Sequence, residues 1–291
     1  MVDFEIPVDE LIGSIMLIKK ENWQTMDPYT RAIEQVRQDH GQDMAVEGRR
    51  ALVPTDIVYT QTRQVDLYPG WLKQHRIIAG DSQDEVARAY KVLRTQVSQR
   101  MRQHGWRTLG VTSPGQGEGK TLTAINLSIS LALERNQSVL LVDANLGQPS
   151  IHSYLGIDVE QGLREHLLDG TPVQQILVNP RIPGLVILPG SVPLNSSSET
   201  LTSRPMLQLV QELKRRYPMR WVIFDLPPVL VSDDVLAIAP YIDAMLLVVE
   251  EGKTMRPELA RAAELVQASN KNLIGTVLNN SGEKNSVYGM Y

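Results

Sequence analysis

The sequence predicts an α/β fold, with a mostly parallel sheet covered by helices on both faces and an N-terminal extension before it. Two observations support this prediction. From Trp106 onward, short apolar runs alternate with helical segments, which is typical of strands buried on both faces. Before residue 80 this alternation is missing, and Pro54, Pro69 and Gly70 interrupt the chain.

A break at Gly80-Asp81-Ser82 divides the chain. We predict a partly helical extension and linker over residues 1–80, with an amphipathic helix around Tyr29–Gln38. A nucleotide-binding domain is expected over residues 81–291. It begins with a helix whose apolar residues recur at helical spacing, namely Val86, Tyr90, Leu93, Val97 and Met101. This stripe fits a surface helix packed on the domain, or a helix dedicated to interaction.

The apolar runs and the helical segments give the elements of the domain. The predicted strands are Thr108–Thr112, Val139–Asp143, Leu185–Leu188, Trp221–Asp225, Ala244–Val249 and Leu273–Leu278. The predicted helices are Thr121–Arg135, Leu163–Leu168, Pro205–Arg215, Asp234–Ile238 and Pro257–Ala268. In such a sheet, ligands bind at the carboxyl ends of the strands, so residues there are candidates for a site.

Composition places the chain among ordinary globular proteins, because 42% of its 291 residues are hydrophobic and 21% are charged. A formal net charge of −4 argues against nucleic acid as a partner. The absence of cysteine excludes disulfides and cysteine nucleophiles and fits a reducing compartment. The apolar stretch Leu11–Ile18 is too short to span a bilayer and lacks a positive flank, so we expect a cytoplasmic protein.

The stretch T-S-P-G-Q-G-E-G-K-T, residues 112–121, predicts a phosphate-binding loop. It follows an apolar strand and precedes a helix that is apolar nearly all round, which is the context that such a loop requires. The usual template has glycine where this chain has Pro114, at the end of the loop far from the helix. The remaining glycines can still direct backbone N–H groups at a phosphate. This predicts a fold of the P-loop NTPase type.

Lys120 would add a mobile positive charge next to the β- and γ-phosphates of ATP, and Thr121 a hydroxyl ligand for Mg²⁺. A glycine-rich turn that merely connects strand and helix is the alternative interpretation. The residues expected to contact the nucleotide in this stretch are Gly115, Gln116, Gly117, Glu118, Gly119, Lys120, Thr121 and Leu122.

Two aspartates, Asp143 and Asp225, each close an apolar strand. A phosphate loop needs an acidic partner, because Mg²⁺ must neutralise the charge on the transferred group. Either aspartate alone could equally be a helix cap or a turn residue. The two together, in a domain with Gly-Lys-Thr, favour a Mg-nucleotide site.

At these motifs the chain resembles the bacterial tyrosine kinases, the P-loop autokinases that accompany capsule and exopolysaccharide export machinery. The resemblance covers about residues 85–291 and is most specific at the loop, at Leu140–His152 and at Phe224–Leu230. The chain is also similar to the wider deviant-Walker ATPases of cell division and partition. Their extra signature lysine would fall at Gly115 and is absent, which favours the kinase branch.

The resemblance implies that Lys120, Asp143 and Asp225 are catalytic and that Thr121, Asp143 and Asp225 hold Mg²⁺. Asp143 would be the proton acceptor, and Asp225 would act on Mg²⁺ directly or through water. Asn279 resembles the position that contacts adenine in related ATPases.

The resemblance also implies autophosphorylation of C-terminal tyrosines between neighbouring subunits, here Tyr288 and Tyr291. A homo-oligomer and a membrane-embedded polysaccharide chain-length or export protein are the implied partners, and this protein would recruit the chain to the inner face of the cell membrane. Without the resemblance, the two tyrosines fit a frayed and solvated tail.

Two departures from the family pattern bear on activity. The second acidic motif usually reads D-x-D-x-R, but here Asn145 replaces the second carboxylate and Gly147 replaces the cation. The subunit-contact motif E-x-x-R-x-x-R is replaced by Arg88, Lys91 and Arg94, which lack the acidic member.

The sequence therefore predicts in-line transfer of a phosphoryl group from Mg-ATP to tyrosine. The departures leave open a second reading, a nucleotide-binding scaffold of the export machinery that phosphorylates nothing. A third reading, an ATPase switch on a membrane or nucleoid surface, lacks an amphipathic membrane helix and a basic surplus.

Overall fold

A computed structural model gives the structure of residues 62–80, 84–135, 137–216, 220–269 and 272–281. The helix expected around Tyr29–Gln38 and the tail residues Tyr288 and Tyr291 lie outside these described residues.

Strands and helices alternate along most of the described chain. In chain order the elements are β1 (Arg63–Gln64), α1 (Pro69–Gln74), α2 (Glu85–His104), β2 (Thr108–Thr112), α3 (Lys120–Ala132), β3 (Ser138–Asp143), α4 (Ile151–Leu155), α5 (Leu163–Asp169), α6 (Val173–Ile176), β4 (Val178–Asn179), β5 (Leu185–Leu188), α7 (Ser197–Leu201), α8 (Arg204–Arg216), β6 (Arg220–Asp225), α9 (Asp234–Ile238), a 3₁₀ turn (Ala239–Tyr241), β7 (Ala244–Glu250), α10 (Arg256–Ala268) and β8 (Asn272–Asn279).

Within the described residues the strands form one eight-stranded sheet in the order β1-β4-β5-β3-β6-β2-β7-β8. Neighbouring strands are parallel except β4 and β5, which are antiparallel. The predicted α/β fold class, with a mostly parallel sheet of the P-loop NTPase type, is thereby confirmed. Helix α3 follows the central strand β2 and is buried along almost its whole length.

The strands form where the apolar runs were expected. The residues of β2 and β6 are buried along their entire length, because helices cover both faces of the sheet. Strands β2 and β5 have the predicted bounds, and β3, β6, β7 and β8 extend them by one residue at one or both ends. Helix α3, predicted over Thr121–Arg135, is observed over Lys120–Ala132. It therefore begins one residue earlier and ends three residues earlier than predicted.

Residues 62–80 belong to the same compact unit as the rest of the described chain, Thr60–Gly282. Strand β1 pairs with β4, and the Trp71 indole N–H donates to the backbone carbonyls of Ser153 and Tyr154 at 3.2 and 3.1 Å. The division at residues 80 and 81 stays a prediction about domain organisation. In the structure, β1 and α1 already lie before residue 80.

Asn126, fully buried in α3, joins this segment to the sheet-covering helix. Its side-chain oxygen accepts the N–H groups of Ile78 and Ala79 at 2.9 and 3.0 Å. Its amide group donates to the carbonyls of Arg76 and Leu122, both at 3.1 Å. One side chain therefore satisfies four backbone groups, three of which belong to a segment without regular structure.

Helix α2 packs against α3 partly through ionic contacts. Tyr90, Val97 and Met101 of its apolar stripe are buried in the core, whereas Val86 is 52% exposed. Arg94 donates to the Ser130 carbonyl at 3.2 Å, and its Nε lies 3.4 Å from Glu134. Arg102 binds the other carboxylate oxygen of Glu134 at 2.5 Å. Arg94, a member of the expected subunit-contact motif, thus contacts α3 of its own chain. Among the described residues, no helix has both the length and the apolar character needed to cross a bilayer.

We predict that Asn126→Ala lowers the free energy of unfolding by about 3 kcal/mol, because it leaves two poorly exposed N–H donors without an acceptor. Chemical denaturation of the full chain measures this change. The matched control is Asn272→Ala, since the Asn272 amide donates to the Asp243 carbonyl at an exposed position. We expect the control to change stability by less than about 0.5 kcal/mol. Equal losses in the two variants would contradict the role given to Asn126.

Candidate functional site

The phosphate loop runs from the end of β2 to the start of α3. Gly117 and Gly119 have φ values of 71° and 90°, which residues with a side chain rarely adopt. A Cβ atom at Gly119 would also overlap the side-chain amide of Asn279. Local conformation and close packing therefore both require glycine immediately before Lys120.

Lys120 and Thr121, the first two residues of α3, face the end of β6. The Thr121 hydroxyl donates to Asp225 Oδ2 at 2.7 Å, and Lys120 Nζ lies 3.7 Å from Asp225 Oδ1. Lys120 Nζ also donates to the Thr121 hydroxyl at 3.1 Å. The structure thus brings together the lysine, the hydroxyl and one of the two carboxylates that the sequence singled out.

The second carboxylate, Asp143, lies beside the first. Asp143 and Asp225 are register partners at the ends of the neighbouring parallel strands β3 and β6, and neither is exposed to solvent. Asp143 Oδ2 accepts the backbone N–H groups of Ser150 and Ile151, both at 2.9 Å, and so caps the start of α4. Its other oxygen, Oδ1, has no hydrogen-bond partner. We call Asp143 and Asp225 the carboxylate pair.

Burial and mutual repulsion make this pair hard to ionise completely. Burial, followed by the charge of Asp225, raises the pKa of Asp143 to about 7. Burial also raises the pKa of Asp225, while Lys120 and the Thr121 hydroxyl oppose that rise. A single lysine faces the two carboxylates, so the pair retains a proton near neutral pH in the absence of a further cation.

The opposite side of the loop is held by Glu118, which is only 2% exposed. Its Oε2 accepts the Gly115 N–H at 2.8 Å, and its Oε1 accepts the hydroxyl of Thr254. Its backbone carbonyl accepts the Asn279 amide at 3.0 Å. The structure thus places Asn279 next to the loop; its contact with adenine stays a prediction.

Two residues that contact the loop were not identified from the sequence, Lys253 and Thr254. They lie in the turn between β7 and α10, residues 251–255, and Lys253 Nζ donates to the Gln116 carbonyl at 2.8 Å. The rule that ligands bind at the carboxyl ends of strands could have identified them, because they follow β7 directly. Leu122, included among the expected contacts, is partly buried and packs against the core.

The two departures in the second acidic motif lie just after β3. The Asn145 side chain is buried and donates to the Gln148 carbonyl at 2.9 Å, which closes a local turn. Gly147 is exposed, and a Cβ atom there would meet nothing closer than 3.8 Å. A Cβ atom is therefore accommodated at position 147, so a close contact at Cβ does not require glycine there.

The residues at this site fit Mg²⁺ and a polyphosphate. The unpartnered oxygens Asp143 Oδ1 and Asp225 Oδ1 are hard anionic ligands, and the Thr121 hydroxyl lies beside them. The described residues contain no cluster of three His, Asp or Glu side chains able to hold a metal alone. Mg²⁺ would therefore need phosphate oxygens and water as further ligands, as is usual for this ion.

Fold and loop together place the chain in the P-loop NTPase class. A family described as an AAA domain matches residues 107–258. The tyrosine-protein kinase YwqD of Bacillus subtilis is 32% identical over 204 residues, which cover 69% of this chain and 84% of that protein. The chain belongs to this AAA-domain family, in its bacterial tyrosine kinase branch.

Some other relatives are longer than this chain. The tyrosine-protein kinase ptk of Acinetobacter johnsonii is 27% identical, and the match covers 73% of this chain but only 29% of that protein. Among solved structures, the kinase domain of Escherichia coli tyrosine kinase ETK superposes with a TM-score of 0.68 at 23% identity, covering 85% of this chain and 99% of that one. The septum site-determining protein MinD of Pyrococcus horikoshii, complexed with Mg-ADP, superposes with a TM-score of 0.53 at 22% identity. This match covers 62% of this chain and 72% of that one. These structures support the fold.

We predict that Gly119→Ala lowers the free energy of unfolding by about 3 kcal/mol, because it adds a clash with Asn279 to the cost of a left-handed φ. The control is Gly105→Ala, which has a φ of 66° and no neighbour within 4 Å of the added Cβ. It should cost only about 1–2 kcal/mol. Chemical denaturation measures both. A double variant that also carries Asn279→Ala should recover part of the loss, and additive losses would contradict the clash.

A second prediction concerns the pH dependence of the metal-free protein. The pKa of Asp143 is raised to about 7 in the folded state, against about 3.9 in the unfolded chain. Between these values the folded state binds more protons, so this group lowers the stability as the pH rises from about 4 to 7. Asp143→Asn should therefore raise the free energy of unfolding by about 1–2 kcal/mol more at pH 8 than at pH 4, as measured by denaturation with a chelator present.

Asp243→Asn is the control, because the pKa of Asp243 is shifted in the opposite direction to that of Asp143. Burial opposes ionisation of Asp243, yet hydrogen bonds from Lys214, Arg107 and Thr108 lower its pKa below the ordinary value. Its stabilising effect is therefore complete above about pH 4, and the variant should lose similar stability at pH 5 and pH 8. If Asp143→Asn showed the same flat profile, the raised pKa of Asp143 would be wrong.

Proposed function

We propose that the protein is an ATP-dependent tyrosine kinase that phosphorylates Tyr288 and Tyr291 of a neighbouring copy. The observation that carries this proposal is the convergence of Lys120, Thr121 and the carboxylate pair at one edge of the sheet. The names of the similar proteins, tyrosine-protein kinases, support the choice of acceptor.

Each residue has a distinct role in this proposal. The loop amides and Lys120 bind the β- and γ-phosphates of ATP and orient the γ-phosphoryl group. Thr121 and Asp225 hold Mg²⁺, which supplies charge neutralisation on the phosphates when bound. Asn279, which lies beside the loop, would contact the adenine base, as the resemblance implies.

Asp143 is the proposed general base. A free tyrosine hydroxyl has a pKa near ~10, so its reaction near neutral pH needs a proton acceptor. Asp143 Oδ1 has no hydrogen-bond partner, so it is available to accept the phenolic proton. Its Oδ2 is held by Ser150 and Ile151, so the orientation of the free oxygen is fixed by the backbone.

The reaction forms a bond between the tyrosine oxygen and the γ-phosphorus and breaks the bond from that phosphorus to the β,γ-bridging oxygen. The electron pair of the broken bond leaves with ADP, and the phenolic proton passes to Asp143 Oδ1. The products are phosphotyrosine, ADP and one proton, which Asp143 releases to solvent. This step needs no reactant other than Mg-ATP and the tyrosine.

The resemblance to the autokinases of capsule and exopolysaccharide export suggests the setting of this reaction. We propose a homo-oligomer recruited to the inner face of the cell membrane by a membrane-embedded chain-length or export protein. Each phosphorylated tyrosine adds about −1.5 to −2 charges, so neighbouring tails would repel one another and loosen the assembly. Cycles of this kind could regulate polymer length or export.

One observation favours a rival function, an ATP-binding scaffold without kinase activity. Asn145 stands where the family has a second carboxylate, and its amide is engaged with the Gln148 carbonyl. An amide in that bond cannot accept a proton. If Asp143 alone is insufficient as a base, nucleotide binding would remain and phosphoryl transfer would be lost.

We predict that the purified chain with Mg-ATP acquires phosphotyrosine at Tyr288 and Tyr291, as located by mass spectrometry. Lys120→Met should lower the initial rate by at least about 100-fold, and Asp143→Asn by about 100-fold or more. Mixing Lys120→Met with a Tyr288/Tyr291→Phe double variant should label the tail of the Lys120→Met chain, because transfer occurs between copies.

Tyr68→Phe is the control for the tail variant, since Tyr68 is an exposed tyrosine, 74% accessible, in the described part of the chain. It should be labelled like wild type. If wild type binds Mg-ATP by calorimetry and no phosphotyrosine forms, even with the membrane partner added, the scaffold function replaces the kinase function. If the double tail variant is labelled as strongly as wild type, the acceptor assignment is wrong.

A further inference from the structure

Glu118 places a negative charge inside a loop that is expected to bind a triphosphate. Its carboxylate also occupies the Gly115 N–H, a donor that phosphate could otherwise use. A carboxylate at this position therefore works against phosphate binding unless it serves another purpose. Its contacts show what that purpose could be.

The two oxygens of Glu118 link the loop to a different part of the chain. One accepts the Gly115 N–H at the start of the loop, and the other accepts the hydroxyl of Thr254. The Thr254 hydroxyl is itself oriented, since its oxygen accepts the Glu250 N–H at 3.0 Å. Lys253 adds a parallel contact to the Gln116 carbonyl. The loop is thus tied to the turn 251–255 at two successive points.

The order of the strands separates these contacts from the carboxylate pair. Strand β2, which leads into the loop, has β6 and then β3 on one side and β7 and then β8 on the other. Asp225 and Asp143 end the strands on the first side, whereas on the second side the turn 251–255 follows β7 and Asn279 ends β8. Glu118 therefore holds the loop from the side away from the proposed metal ligands.

We propose that Glu118 is a positioning residue, which, together with Thr254, fixes the phosphate loop in its binding conformation before nucleotide arrives. This inference rests on the proposed nucleotide binding and deepens it. A loop that is already ordered loses less conformational entropy when a ligand binds. The hydrogen bond from Thr254 to a buried carboxylate is of the charge-assisted kind, which is stronger than a neutral one.

The test uses Mg-ADP, which binds without turnover, and the nucleotide-free protein. Thr254→Val removes the hydroxyl at nearly constant volume, and Thr254→Ser retains it. We expect Thr254→Val to raise the calorimetric Kd for Mg-ADP by about tenfold. We also expect amide exchange in residues 113–119 of the nucleotide-free protein to become about tenfold faster. Thr254→Ser should restore both values to within about twofold of wild type.

Variants of Glu118 separate geometry from charge. Glu118→Gln can keep both contacts, because its oxygen can accept the Gly115 N–H and its amide can donate to Thr254. We expect it to bind Mg-ADP within about threefold of wild type, and Glu118→Ala to behave like Thr254→Val. At saturating Mg-ATP, Thr254→Val should phosphorylate tyrosine at close to the wild-type rate, so the change appears in KM and not in kcat.

The matched control is Thr95→Val, which removes an exposed threonine hydroxyl bonded to the Lys91 carbonyl in α2. It should leave both readouts unchanged. Wild-type affinity in both Thr254→Val and Glu118→Ala would overturn the proposal, even if loop exchange became faster, because the contacts would then be structural only. If wild type itself binds no Mg-ADP, the nucleotide site is wrong, and loop exchange alone decides whether Glu118 holds the loop.

Discussion

The site depends on the in-register pairing of β3 with β6, which ends with Asp143 opposite Asp225. Parallel pairing places two carboxylates side by side at full burial, where ionising both is costly. Lys120 offsets one negative charge, and the raised pKa values of the pair reflect burial first and, for Asp143, the charge of Asp225. A divalent cation would complete the balance, so the burial that makes full ionisation of the pair costly would also favour binding of Mg²⁺.

The phosphate loop is therefore contacted by different kinds of groups on its two sides. On the β6 side, Thr121 and Lys120 contact a carboxylate whose protonation changes with pH and metal. On the β7 side, Glu118 and Asn279 contact neutral donors or backbone groups, which do not titrate near neutral pH. This division allows the charge of the catalytic side to change during a reaction while the loop keeps its conformation.

The fold and the site residues Lys120, Thr121, Asp143 and Asp225 could be predicted because they depend on local patterns. Fully buried strands appear as apolar runs, Asp143 and Asp225 end two such runs, and Gly-Lys-Thr begins the helix that follows a third. Strands β1 and β4 were missed because each has two residues, too few for a periodic signal. Lys253 and Thr254 were missed for another reason. Their contact with the loop requires β7 to lie beside β2, and local sequence does not determine the order of strands in a sheet.

The geometry also bears on why Asn145 replaces an aspartate. Its amide donates to the Gln148 carbonyl, and a carboxylate there would place two oxygens without a proton against each other. With asparagine, Asp143 Oδ1 is left as the unpartnered acceptor next to Asp225 Oδ1. In the proposed reaction, proton transfer would therefore fall to Asp143.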